Sequence, residues 1–136
     1  MTPECLAAIH AQTMVVPRPW SVAEFAEILK SSRCILSVHS AGFALGRVVL
    51  DEAELLTLAV DPGQQRRGFG LICLNNFHLR ALDRGASSAA LEVAATNAPA
   101  RALYQAAGYQ EVGMRKAYYR MPAGPRIDAI VMKKDL

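Results

Sequence analysis

Cysteine is scarce in this chain and poorly spaced for chemistry. Its 136 residues include Cys5, Cys34 and Cys73, with no C-x-x-C pair, and three histidines, none at metal-ligand spacing. Neither a disulfide framework nor a zinc site is supported, and no metal is expected. Cys34 and His39 could be read as a nucleophile and its base, but no third group is evident to orient the histidine; the alternative is a buried thiol on a strand and a histidine near a turn. Long apolar runs are also missing. Nothing approaches the roughly 18 residues that span a bilayer, and the start, "MTPECLAAIHAQT", has no basic segment ahead of its apolar residues, so a soluble, cytoplasmic protein with no membrane role is expected. No block of one charge occurs: the 15 Lys and Arg against 12 Asp and Glu, net +3, are spread along the chain. That is a weak footprint for nucleic acid and suits a small anionic ligand better. Repeats, low-complexity segments and linkers are absent, so residues 1–136 are expected to form one domain with one core.

What the chain does contain is a succession of short, well-punctuated elements. Thr2 before Pro3 resembles a cap and first-turn proline for a short helix. In "SVAEFAEILK", Ser21 and Glu24 form an S-x-x-E capping box, and Val22, Phe25, Ile28 and Leu29 share a helical face, with the end near Ser31. "CILSV", "GFALGRVVL" and "ELLTLAV" are rich in branched residues, separated by turn residues, and read as a meander of strands. Leu71, Leu74, His78 and Leu82 then recur at helical spacing until Gly85. "AALEV" reads as a buried strand. Asn97 can cap a helix with Pro99 near its start that runs to Gly108, and "YQEVGMR" and "DAIVMKK" are a closing strand pair around a Pro- and Gly-rich loop. The order ααβββαβαββ predicts an α/β fold, a mixed sheet packed by helices.

Between the third strand and the third helix lies "VDPGQQRRGFG", Val60 to Gly70. Gly63 and Gly68 have the spacing of a phosphate-binding P-loop, but Phe69 and Gly70 stand where Lys and Ser or Thr are required. A dinucleotide fingerprint fails as well, because Cys73 occupies the third glycine position. The remaining pattern, [QR]-x-x-G-x-[GA], is matched by Gln65, Arg66, Arg67, Gly68, Phe69 and Gly70. Free N–H groups at a helix start, aided by the helix dipole, bind a pyrophosphate, and glycine lets the backbone approach it closely. The alternative is a solvated basic turn that merely begins a helix.

That hexapeptide resembles the acetyl-CoA-binding motif of the GCN5-related N-acetyltransferase (GNAT) superfamily. Further words, "PWS", "DEAELLTLAVDP", "LEV", the "N-x-x-A-x-x-LY-x-x-x-GY" run from Asn97 to Tyr109, and Tyr118-Tyr119 with "DAIVM", are similar in order and spacing to its ribosomal-protein alanine N-acetyltransferases, the RimI enzymes. The resemblance covers essentially the whole chain. It implies a mixed, mostly antiparallel central sheet flanked by helices, with acetyl-CoA at the strand–turn–helix. It also implies transfer of acetyl to the N-terminal alanine of the eighteenth small-subunit ribosomal protein by direct attack. On the cosubstrate side it implies the backbone of Leu58, Ala59 and Val60 at a bulged strand, then Arg66, Arg67, Gly68, Phe69, Gly70 and Leu71, and Asn97.

The resemblance makes Glu92 the proton acceptor and Tyr104 the proton donor. The residues themselves allow this. Glu92 is an isolated acid in "AALEVAA", costly unless it faces a wet cleft, where burial would raise its basicity; an edge-strand glutamate in solvent is the alternative. Tyr104 lies on the apolar face with Leu103 and Ala107, so it also reads as core, and Asn97 reads equally as a cap. Two departures stand out: Ala94 replaces an arginine common in the family, and the helix after Gly70 begins "LICLNN" where a basic residue is usual. Arg115, Lys116 and Arg120 could border a peptide groove or be solvated strand charges. The same motifs would serve another amine acceptor, or a silent acyl-CoA-binding module without need of Glu92 and Tyr104.

Overall fold

A computed structural model describes residues 1–136. Two helices open the chain. In α1 (Pro3–Thr13) the Thr2 hydroxyl accepts the Cys5 N–H at 3.1 Å. In α2 (Val22–Leu29) the capping box forms in both directions, Glu24 N–H to Ser21 Oγ at 3.2 Å and Ser21 N–H to Glu24 Oε1 at 3.1 Å. Such a box satisfies two amides that a helix start otherwise leaves unpaired. None of the helices is long and apolar enough to cross a membrane.

Six strands follow: β1 (Cys34–His39), β2 (Gly42–Val49), β3 (Glu52–Val60), β4 (Ser88–Ala94), β5 (Gln110–Tyr119) and β6 (Ile127–Asp135). They form one sheet in the order β1-β2-β3-β4-β6-β5. All neighbours are antiparallel except β3 and β4, which the crossover helix α3 (Phe69–Asp83) makes parallel. The predicted meander is present, and the closing pair forms, with β6 rather than β5 inserted against β4. A shorter helix, α4 (Ala98–Ala106), joins β4 to β5.

Helices cover both faces. On one, α1 and α2 bury Leu6, Ile9 and Phe25 against Phe43, Leu45 and Ala59 of β2 and β3. On the other, α3 buries Cys73, Leu74, Phe77 and Ala81 against Ile35, Ala44, Val48, Ala53 and Leu55. Leu74 and His78 are buried as the spacing predicts, but Leu82 is 45% exposed; the stripe that meets the sheet runs through Phe77 and Ala81. At Gly46 β2 and α3 meet closely. A Cβ there would collide with the Glu54 carbonyl oxygen and lie 2.6 Å from the Phe77 ring.

Two irregularities of the sheet prepare a site. The first is a β-bulge: Thr57 pairs with Leu45 while Leu55 pairs with the next residue, Gly46, so Leu56 is an extra residue in β3. Its effect shows in the side chains. Ala53 and Leu55 join the α3 face, whereas Ala59, of the same parity, joins the α1–α2 face, because one inserted residue flips the alternation. The second is a splay. β3 and β4 pair only through Glu52–Glu54 and Ser88–Ala90; beyond that β3 stays with β2 and β4 with β6, leaving a wedge between them.

Candidate active site

The wedge is a cavity of about 620 Å³. One wall is the bulged end of β3, Leu56 to Val60, and the facing wall is Glu92, Val93 and Ala94 of β4. Since no strand pairs with this edge of β3 beyond Glu54, its backbone polar groups face the cavity instead of a ladder.

At one end the chain turns into α3. Asp61 caps a 3-10 turn, Pro62–Gln64, by accepting the Gly63 N–H at 2.9 Å, and the Gln65 side chain donates to the Val60 carbonyl at 3.1 Å, tying the turn to β3. Arg66 (φ 63°) and Gly68 (φ 80°) both adopt left-handed backbone, which for Gly68 costs nothing and for Arg66 is strained. None of the amides from Gln65 to Leu71 donates a hydrogen bond to the protein, and the first helical bond is Ile72 N–H to the Gly68 carbonyl. The result is a run of free donors at a helix N-terminus, the arrangement that attracts a phosphate. Arg66, Gly68, Phe69, Gly70 and Leu71 all line the cavity. The Arg67 side chain does not; it donates to Gln64 Oε1 at 3.3 Å.

Asn97 is a cap and a lining residue at once. Its Oδ1 accepts the Ala100 N–H at 3.2 Å while its side-chain nitrogen donates to no protein group. Tyr104, on α4, is buried at 7% exposure and lines the same cavity. Its ring packs on Tyr109, 6.0 Å away at 64°, yet its hydroxyl has no protein partner and is not sealed from solvent. Burial, with a smaller contribution from Tyr119, pushes this phenol well above its ordinary range, so it is a held proton at neutral pH.

Glu92 agrees with the expected wet cleft and departs from the sequence expectation only in its burial and its pairing. It lines the wedge but is not buried; it is exposed to the cleft and paired with Arg115 of β5, whose Nε lies 2.8 Å from Oε1. Arg115 also stacks over Tyr118, 5.5 Å from the ring centre. The open wedge explains the exposure: where β3 leaves β4, no strand covers the Glu92 side of the cleft, and the carboxylate is held by Arg115.

Sequence reasoning missed two parts of the site. Tyr119 lines the same cavity as Glu92 and Tyr104, and its phenol is pushed up to about 12, chiefly by burial and then by the Glu92 charge. The end of α1 and the connection to α2 add a further wall with Thr13, Met14, Val16 and Pro17. The Tyr-Tyr pair was visible as a motif, but no local signal marks the connection. The Cys34–His39 reading is excluded. The two residues sit at opposite ends of β1, roughly 16 Å apart at the usual strand rise, and burial pushes the Cys34 thiol up, away from thiolate.

Residues 12–109 match the family model described as the acetyltransferase (GNAT) family. The chain is 38% identical over 135 residues to the [ribosomal protein bS18]-alanine N-acetyltransferase of Escherichia coli K12, covering 96% of this chain and 90% of that protein. Among solved structures, the ribosomal-protein-S18-alanine N-acetyltransferase from Escherichia coli superimposes with a TM-score of 0.83 at 36% identity, over 99% of this chain and 89% of that one. Arabidopsis thaliana NAA60 in complex with acetyl-CoA shares the fold, with a TM-score of 0.83 at 18% identity, over 98% of this chain and 93% of that one.

Proposed function

The chain belongs to the acetyltransferase (GNAT) family and is an acetyl-CoA-dependent acyltransferase, and from that premise we propose that it acetylates the N-terminal α-amine of a small-subunit ribosomal protein that begins with alanine. Residues 1–136 act as one acetyltransferase domain. The observation that carries the proposal is the wedge, which joins a run of free amides at one end to Glu92, Tyr104 and Tyr119 at the other.

In this reading the diphosphate of acetyl-CoA lies on the amides of Arg66 to Leu71, with the Arg66 guanidinium beside it and the amide nitrogen of Asn97 as a further donor. Glycine at 68 and 70 keeps the backbone within reach. The pantetheine arm runs along the free edge of Leu58, Ala59 and Val60, whose backbone donors polarise the thioester carbonyl; fixed donors at developing negative charge are often the largest catalytic contribution.

The acceptor enters from the side walled by Met14, Val16, Pro17 and Tyr119. A neutral nitrogen attacks the thioester carbon, the carbon–sulfur bond breaks, and the nitrogen's proton passes to Glu92 while the departing sulfur takes one from Tyr104. An α-amine suits so exposed a base. With a pKa of about 7.7 to 8.0 it costs only about 1 kcal/mol to deprotonate at pH 7, against about 4.6 for a lysine. No acyl-enzyme is required. Cys73 is fully buried and its thiol is pushed up by burial, which agrees with its having no part.

The test is acetyl transfer to a peptide beginning Ala and to its N-blocked twin carrying an internal lysine. The expected result is acetylation of the first and not the second. Equal acetylation of the blocked peptide, or transfer only to a lysine or a small polyamine, would overturn the α-amine assignment.

A further inference from the structure

His10 is wholly buried in a shell of aromatic rings and takes no part in the proton transfers above. Trp20, Phe25 and Phe43 surround it with ring centres 5.9, 5.3 and 6.3 Å away. A leucine or phenylalanine would fill such a space without the cost of burying two ring nitrogens, so the polarity itself needs a reason. Both nitrogens are bonded. Nδ1 accepts the main-chain N–H of Trp20 at 2.8 Å, and an acceptor there leaves the proton of the neutral ring on Nε2. Nε2–H therefore donates to Thr57 Oγ1, also at 2.8 Å.

The two partners belong to the two sides of the cleft. Trp20 ends the connection between α1 and α2, whose Met14, Val16 and Pro17 wall the acceptor side. Thr57 follows the extra residue Leu56 in β3 and immediately precedes Leu58–Val60. A flat ring clamped by aromatic neighbours is a rigid spacer between them.

We propose that His10 is a positioning residue for acetyl transfer: through Nδ1 it fixes the acceptor wall and through Nε2 the bulged strand, and so sets the distance between incoming amine and thioester. The inference rests on the proposed reading of the cleft, in that it takes β3 as the thioester side.

The two bonds can be cut separately. Asparagine places an oxygen near Nδ1 and cannot reach Thr57; glutamine places an N–H near Nε2 and leaves the Trp20 amide unpaired. With the Ala peptide, His10→Gln is expected to raise peptide KM about tenfold, the worth of one buried hydrogen bond, with kcat and acetyl-CoA affinity within about twofold of wild type. His10→Asn and Thr57→Val are expected to lower kcat by about the same factor and to weaken acetyl-CoA binding, with peptide KM little changed. Urea unfolding of each variant confirms the fold. If all three variants lose kcat and raise KM together in proportion to lost stability, or change nothing, His10 is only a packing residue and the proposal is overturned. Calorimetric titration with acetyl-CoA does not depend on the acceptor: should wild type bind acetyl-CoA but ignore the peptide, the acceptor assignment fails. The contrast between Asn and Gln in binding still decides the role of His10: a contrast upholds it, and equal affinities overturn it.

Discussion

Tyr104 and Tyr109 are neighbouring buried tyrosines on which the same small change should act oppositely. The Tyr104 hydroxyl bonds to no protein group and opens to the cavity, so Tyr104→Phe removes no internal hydrogen bond and keeps the ring packed on Tyr109. Stability should stay within about 0.5 kcal/mol of wild type, while kcat falls by roughly 10²- to 10⁴-fold if the hydroxyl delivers the proton to the departing sulfur. Tyr109 is 2% exposed and its hydroxyl lies 2.7 Å from Nε2 of His78, itself 6% exposed. Tyr109→Phe strands that nitrogen in the core, at about 1–3 kcal/mol, and leaves the cavity lining untouched. Urea unfolding and steady-state kinetics on the two proteins should therefore give crossed results: one inactive and stable, the other active and weakened. Full activity in Tyr104→Phe would refute its role as proton donor. A loss of stability there equal to that of Tyr109→Phe would refute the claim that its hydroxyl is free.

Glu92→Gln should lower kcat/KM for the Ala peptide by about 10²- to 10⁴-fold at pH 7, and the deficit should shrink above pH 8, where most of an α-amine is already neutral in solution; a pH-independent deficit would argue that Glu92 acts by holding Arg115. Mild acid should destabilise the fold through its two buried histidines. His10 and His78 are both depressed from 6.5 to about 4 by burial, opposed by Glu24 at the first and reinforced by Lys134 at the second. Their neutral forms therefore stabilise the native state fully above pH 6.5, and each contribution, up to about 3 kcal/mol, is lost as pH falls toward 4. Urea midpoints at pH 7.5, 6 and 5 should decline in step, and a flat profile would contradict the burial argument. Gly46→Ala should cost at least about 1–3 kcal/mol and weaken acetyl-CoA binding, because the new methyl meets the Glu54 carbonyl and Phe77 beside the bulge; thermal unfolding with and without acetyl-CoA separates the two effects.

Much of the molecule was legible because its signals are local. The Ser21–Glu24 box, the Asn97 cap and the Gly68-x-Gly70 turn each encode their geometry within a few residues, and each forms as the sequence predicts. The residues that needed a distant partner were harder. Glu92 in "AALEVAA" reads as facing a wet cleft or as an edge-strand acid in solvent, and the choice depends on where β3 parts from β4, which no residue near it records. Arg115 reads equally as a groove border or a solvated strand charge until β6 brings β5 beside the cleft. The bulge at Leu56 leaves no mark in "ELLTLAV" because both faces of β3 are covered by helices and apolar residues serve on either side. The Met14 to Pro17 wall lies in a connection whose place is set by His10 and Trp20, a tertiary contact.

The claim on which the rest depends is that one wedge binds acetyl-CoA by its backbone. Amide chemical-shift mapping by NMR on a protein of this size, 14.7 kDa, reads it directly. Titration with acetyl-CoA should move the amides of Arg66 to Leu71 and of Leu58 to Val60 most, with the Asn97 side-chain amide among the perturbed signals. Shifts confined to the opposite end of α3, around Arg80 and Arg84, or a spectrum unchanged at saturating acetyl-CoA, would contradict it.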